Sequence, residues 1–239
     1  MPRLAPLERD VDAVELTDLP APFEEVASSL ATISRFNALF GGRRIVVRQA
    51  CELLAALPAA RPVTVLDVGT GAADIPAALV RWARRAGRKI RVLALDHGSA
   101  TLAYARGGAA AYPEITLVQG DALALPVKPE SVDLVISALT LHHVPGGDVA
   151  RYLGEIDGAA RLGWVVNDLV RGRVARALVW ALTRVLSRSA MARHDGPMSV
   201  ARSYTPSELK ALCEKAGFFD ARVAHHAAFI RHSAVRVKR

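Results

Sequence analysis

The chain has 239 residues, 51% of them hydrophobic, enough for one domain with a sizeable core and a small elaboration. Formal net charge is +8 and the pI is near 10.1, yet only five of the 31 basic residues are lysines and the arginines are scattered, which argues against a nucleic-acid stripe. Two cysteines in helical stretches, an N-terminus without an apolar leader and the absence of an apolar run of spanning length predict a cytoplasmic protein without disulfides.

Taken in chain order, residues 1–22 are Pro-rich and polar and are expected to form a loosely held arm. A helical cap follows over 23–58, broken at Gly41-Gly42. The apolar run 63–68, ending in glycine, suits a strand buried on both faces of a parallel sheet. Further strands are predicted at 90–95, 115–118, 132–137 and 164–167, with helices at 73–86, 99–111 and 147–160 between most of them. Strands and helices alternating at this spacing are βαβ units with right-handed crossovers, so 59–170 is the expected core. The rhythm then changes. A helix over 172–188 and a polar loop over 189–203, interrupted by Gly196-Pro197, make an insertion or lid. In the last segment, 205–239, Thr205-Pro206-Ser207-Glu208 is a capping box, Gly217 is a helix stop, and two strands follow.

The first segment with chemical content is Asp67-Val68-Gly69-Thr70-Gly71-Ala72-Ala73-Asp74. A strand ending in Gly-x-Gly before a helix lets backbone approach a ligand closely. A dinucleotide fingerprint wants a third glycine where Asp74 stands, and Asp74 would repel a pyrophosphate at the helix N-terminus. With Asp67 beside the same turn, the site suits a positively charged cofactor without phosphates and disfavours NAD. Asp96 ends the second strand, where it could hold two ribose hydroxyls. Asp121 ends the third, where with the Ala122 N–H it could read an adenine edge.

Three acidic strand ends around one glycine turn make the chain resemble the class I S-adenosylmethionine-dependent methyltransferases, over about 63–167 plus the terminal strand pair. The resemblance implies an α/β, doubly wound, seven-stranded sheet, mostly parallel with an antiparallel terminal strand. It also implies S-adenosylmethionine as cofactor. Gly69 and Gly71 would then bracket its amino-acid end, Asp96 hold the ribose, and Asp121 with Ala122 read the adenine. Asp67, Thr70, Asp74, His97 and Ser137 complete the expected shell.

What is missing narrows the acceptor. No Asp/Asn-Pro-Pro-aromatic turn follows strand four, and neither Cys51 nor Cys213 follows proline, unlike nucleic-acid amino and cytosine-carbon enzymes. Asn167-Asp168 supplies half of a catechol-type magnesium site, but Ser137 stands where its other carboxylate belongs, so no metal is expected. The remaining resemblance is to small-molecule enzymes of the quinone and polyketide-tailoring kind, acting on an oxygen or activated carbon. An RNA methyltransferase and a non-catalytic cofactor-binding subunit are the alternatives. A monomer or homodimer is expected. Candidate bases are His142 and His143 after strand four, and His194 with Asp195 as an orienting carboxylate. Acceptor contacts are expected from Phe36, Phe40, Arg43, Asn167, Arg171, Met198, Arg202 and Tyr204.

At 100° per residue, Arg173, Arg176, Arg184 and Arg188 share one side of the 172–188 helix with Trp180. Val174, Leu178, Leu182, Val185 and Leu186 take the other side and are expected to pack on the domain or cover the acceptor pocket. The arginine side is either a weak membrane-surface contact or the outside of a lid whose Trp180 packs on the 189–203 loop.

Overall fold

The computed structural model describes residues 7–238. One seven-stranded sheet runs in the order β3-β2-β1-β4-β5-β7-β6, with β1 Val63–Val68, β2 Ile90–Asp96, β3 Ile115–Gln119, β4 Val132–Ala138, β5 Ala160–Leu169, β6 Arg222–His226 and β7 Arg231–Val237. The pairs among β1 to β5 are parallel, while β7 runs antiparallel to both β5 and β6, as the resemblance implies.

Both faces of the sheet centre are covered, which is why β1 and β4 read as largely apolar runs, whereas the edge strands β3 and β6 are partly exposed. Successive residues point to opposite faces. Val63 and Val65 pack with α2 (Gly42–Ala55) and α3 (Asp74–Arg85), and Leu66 and Val68 with α5 (Val149–Ala159) and α8 (Pro206–Lys215). In the α8 capping box, the Thr205 hydroxyl accepts from the Glu208 N–H at 3.3 Å and the Glu208 carboxylate accepts from the Thr205 N–H at 2.8 Å. Helix α4 (Ser99–Ala109) connects β2 to β3. Because β2 and β4 leave β1 in opposite directions, the crevice between the ends of β1 and β4 is the topological switch point where such sheets bind ligands.

A cap built from α1 (Phe23–Leu39), α6 (Arg173–Leu186) and α7 (Ala190–Arg202) lies over that edge, and here the chain departs from three expectations. The stretch 189–203 is helix rather than loop. Ser189 caps α7 by accepting from the Ala192 N–H at 3.1 Å, and the helix continues through Pro197. Proline normally ends a helix. Tertiary packing overrides it: a Cβ at Gly196 would fall 2.8 Å from Thr183 Cγ2, so glycine lets α6 and α7 close on each other.

The arm is also held, at least over its described part; its first six residues lie outside the described residues. Glu15 is buried, and the Asp195 carboxylate accepts from the N–H groups of Leu16 and Thr17 at 2.8 and 2.9 Å. Finally, α6 packs through only part of the stripe read from its sequence: Leu178 and Leu182 cover the cavity, and the rest of the stripe faces out. Ala175 and Thr183 are buried and Val179 and Leu182 half-buried, whereas Val174 and Val185 are 78% and 79% exposed. The small residues face inward because α7 approaches too closely for larger ones.

Candidate active site

A cavity of about 620 Å³ opens at the switch point between β1, β4 and the cap. The glycine turn after β1 forms its floor. Gly69 and Gly71 adopt left-handed φ values of +74° and +53°, and a Cβ on Gly69 would lie 2.1 Å from Thr140 Oγ1. Any other residue at Gly69 would displace the turn. Across from it, Leu139 also takes a left-handed φ of 58° and donates its N–H to Asn167 O at 2.9 Å. Such strain in a non-glycine residue persists only where surrounding structure enforces it, most often at sites.

Asp96, at the tip of β2, accepts from the Gly71 and Gly98 N–H groups, both at 3.0 Å, which fixes its carboxylate against the glycine turn. Asp121 accepts from the Leu123 N–H at 2.8 Å and lines the same cavity with Ala122 and His97. Asp67 is fully buried and accepts from the Thr70 hydroxyl at 2.7 Å. Burial, with Asp74 and Asp96 nearby, pushes its carboxyl up to about 7. Burial likewise raises Asp74, against the opposing pull of Arg43.

Orphaned polar atoms test whether a zwitterionic, cationic cofactor suits this end of the cavity. Asn37 Oδ1, Asp74 Oδ2 and Arg231 Nε are buried without hydrogen-bond partners, and all three residues line the cavity. Leaving such groups unmade is costly. An ammonium would satisfy Asp74 and Asn37, and a carboxylate would satisfy Arg231. The amino-acid end of S-adenosylmethionine carries both, and its sulfonium suits the surplus of carboxylates. The residues fit the group.

The far wall carries two histidines and their carboxylate partners. His142 and His143 occupy a short 3-10 turn after β4, and His142 is buried. The Asp168 carboxylate lies 2.7 Å from His142 Nδ1 and accepts from the His142 backbone N–H at 3.0 Å. This fixes the ring with Nε2 turned toward Glu15, 3.7 Å away. His143 is the mirror case, with Nδ1 2.7 Å from Asp18 and Nε2 3.9 Å from Glu15. Burial alone would depress the His142 imidazole, but the Asp168 and Glu15 carboxylates outweigh it and hold it above its ordinary 6.5. Burial would raise Asp168, but His142 outweighs it and brings the carboxyl down to about 2.

Glu15, His142 and His143 each turn a metal-ligating atom into a space less than 4.8 Å across. However, Glu15 accepts from the Ser199 hydroxyl at 2.7 Å and lies 3.4 Å from the Arg202 guanidinium. A guanidinium therefore already lies beside the Glu15 carboxylate.

Of the residues expected from sequence, the cavity gathers His142, His143, Asp67, Gly69, Thr70, Gly71, Asp74, Asp96, His97, Asp121, Ala122, Phe36 and Phe40. It does not gather the others. His194 is half-exposed outside the cavity, and its neighbour Asp195 serves to anchor the arm. Ser137 is buried behind the wall, donating to Val68 O and accepting from the Tyr152 hydroxyl. Arg43 pairs with Asp74 from outside, Arg171 with Glu208, and Arg202 with Glu15 and Asp18. Asn167 donates to His232 O, Tyr204 lies under Arg9, and Met198 is half-buried beyond the lining. Sequence reasoning missed Glu15, Asp18, Asn37 and Arg231. Arg231 carried no distinctive signal, because its strand also holds His232, Ser233 and Arg236, and Glu15 and Asp18 meet the histidines only through long-range packing.

Comparison with known proteins gives three further findings. Residues 65–163 match the family model described as a methyltransferase domain. The chain is 34% identical over 129 residues to the 2-phytyl-1,4-naphtoquinone methyltransferase of Thermosynechococcus vestitus, covering 54% of each chain, so it spans about half that protein's length. It is 30% identical over 215 residues to the demethylmenaquinone methyltransferase of Roseiflexus castenholzii, covering 83% of this chain and 84% of that one. Among solved structures, a SAM-dependent methyltransferase from Aquifex aeolicus shares the fold with a TM-score of 0.56 at 19% identity, over 85% of this chain and 97% of the other.

Proposed function

The chain belongs to the S-adenosylmethionine-dependent methyltransferases, and within that family we propose that it methylates an oxygen or activated carbon of a small quinone-like acceptor in its hydroxyl-bearing, reduced form. The observation that carries this reading is the Asp168–His142 pair in the cavity wall, 2.7 Å apart, opposite the glycine turn. A hydroxyl attached to an aromatic ring becomes a competent nucleophile, at oxygen or at the adjoining ring carbons, once its proton is taken. The two curated relatives, whose names place naphthoquinone-type molecules as their acceptors, support the same class. Apolar side chains such as Leu30, Ile33, Phe36 and Phe40 offer walls for a flat ring system.

When bound, S-adenosylmethionine supplies an electrophilic methyl group on a sulfonium and departs as S-adenosylhomocysteine. Asp96 would hold its ribose, Asp121 with Ala122 its adenine, and Asp67, Asp74, Asn37 and Arg231 its amino-acid end. His142 Nε2 accepts the acceptor's proton while Asp168 holds the opposite nitrogen and stabilises the imidazolium. Glu15 and His143, facing the same ring, and Arg202 behind Glu15 set the balance of charge around that proton. The chain's remaining task is to align the two reactants and exclude water, which α1 and α6 do by roofing the cavity.

The test is transfer of labelled methyl from S-adenosylmethionine to reduced naphthoquinones, simple phenols and enolised polyketides offered separately. Incorporation into the naphthoquinols supports the reading. Incorporation only into a transfer RNA offered alongside would replace it with the RNA alternative.

A further inference from the structure

No helix among the described residues is long and apolar enough to cross a membrane, yet α6 exposes more apolar surface than a solvated face needs. Val174, Leu178 and Val185 fall on one line of the helix, exposed by 78%, 43% and 79%. Trp180 is also half-exposed, with the Arg184 guanidinium stacked 4.2 Å over its ring. Charge adds a second observation. Between Asp168 and Asp195 the chain has no acidic residue and six arginines, of which all but Arg171 are exposed. A helix with an apolar line, a half-exposed tryptophan and exposed arginines matches an anionic lipid surface in both polarity and charge.

The position of the helix gives this surface a use. Leu178, Val179 and Leu182 line the cavity, so the exposed line runs into the cavity mouth through Leu178. We propose that α6 lies on an anionic bilayer surface, with Val174, Val185 and Trp180 seated at the headgroup boundary and Arg176 and Arg184 on lipid phosphates. The cavity mouth then opens at the depth where a lipophilic acceptor resides. The docking surface does not depend on which acceptor is methylated, so the two readings fail separately.

The experiment is co-sedimentation of the full chain with phosphatidylglycerol/phosphatidylcholine vesicles and with phosphatidylcholine vesicles alone. Binding is expected only to the anionic vesicles and is expected to weaken as salt rises. V174E/V185E and R176E/R184E should each lose about tenfold or more in vesicle affinity while binding S-adenosylmethionine as wild type does. Wild type left in the supernatant at low salt would overturn the proposal. So would equal binding by both variants. Self-association abolished by V174E/V185E in a chain that ignores vesicles would assign the face to a second copy instead.

Discussion

His142 sits between two carboxylates, and the sign of its pKa shift determines how rate and stability respond to pH. Only the neutral ring accepts a proton, and its pKa is raised, so kcat/KM should climb with pH through a midpoint above 6.5. D168N removes the carboxylate that holds the ring charged, and its midpoint should move to lower pH, with a lower plateau from lost orientation. A pH–rate profile unchanged in D168N would refute the dyad. Stability follows the opposite course. The charged pair stabilises the fold between the ordinary carboxylate and imidazole ranges. That stability is lost on the acid side as Asp168 protonates near 2, and on the alkaline side as His142 deprotonates.

Asp67 gives a second test at this scale. Its carboxyl is raised to about 7 by burial beside two other acids, so the unliganded protein loses stability as pH rises from the ordinary carboxylate range up to that value and no further above it. A cationic cofactor relieves the cost and draws the proton off. Binding of S-adenosylmethionine near pH 7 should therefore release up to one proton, measurable by calorimetry in buffers of different ionisation enthalpy. D67N should abolish the release. Proton uptake on binding would mean that the carboxylate cluster is arranged for something other than a cation.

At the scale of elements, the contact between α6 and α7 supports the roof of the cavity. G196V places side-chain atoms where Thr183 Cγ2 lies 2.8 Å from a Cβ, and overpacking of this kind costs about 1–3 kcal/mol. The variant should melt earlier and bind acceptor more weakly, while its cofactor affinity stays close to wild type because Gly69, Asp96 and Asp121 lie on the sheet. Equal loss of both affinities would mean that the cap and the sheet edge unfold together.

The same elements mark where the sequence was legible. Strands β1 and β4 were readable because burial on both faces leaves a largely apolar run, β2, β3 and β5 from shorter apolar stretches at βαβ spacing, and the α8 capping box because its bonds are local. Helix α7 was not, because Pro197 speaks locally for a break while the packing of Gly196 against Thr183 speaks from 13 positions away. The inward face of α6 was misread in part for a related reason. Periodicity favours its larger apolar residues as the packing side, but close approach by α7 selects Ala175 and Thr183.

At the scale of the whole molecule, the site is assembled from three separate parts of the chain. The cofactor end was visible because Asp67, Asp96 and Asp121 are all strand ends and the sheet order brings strand ends together. The acid–base end joins Glu15 and Asp18 of the arm to His142 and His143 and to Asp168 on β5, and no periodicity encodes those pairings. Arg231 arrives last, carried in at the head of β7.

The most direct measurement of the central claim is methyl incorporation from labelled S-adenosylmethionine into a reduced 2-substituted naphthoquinone, comparing wild type with H142A across pH. Wild type should incorporate the label, and H142A should lose on the order of a hundredfold or more near neutrality, narrowing as pH rises and the acceptor ionises unaided. Wild-type rates in H142A, or a chain that binds cofactor yet never methylates a hydroxylated ring, would contradict it.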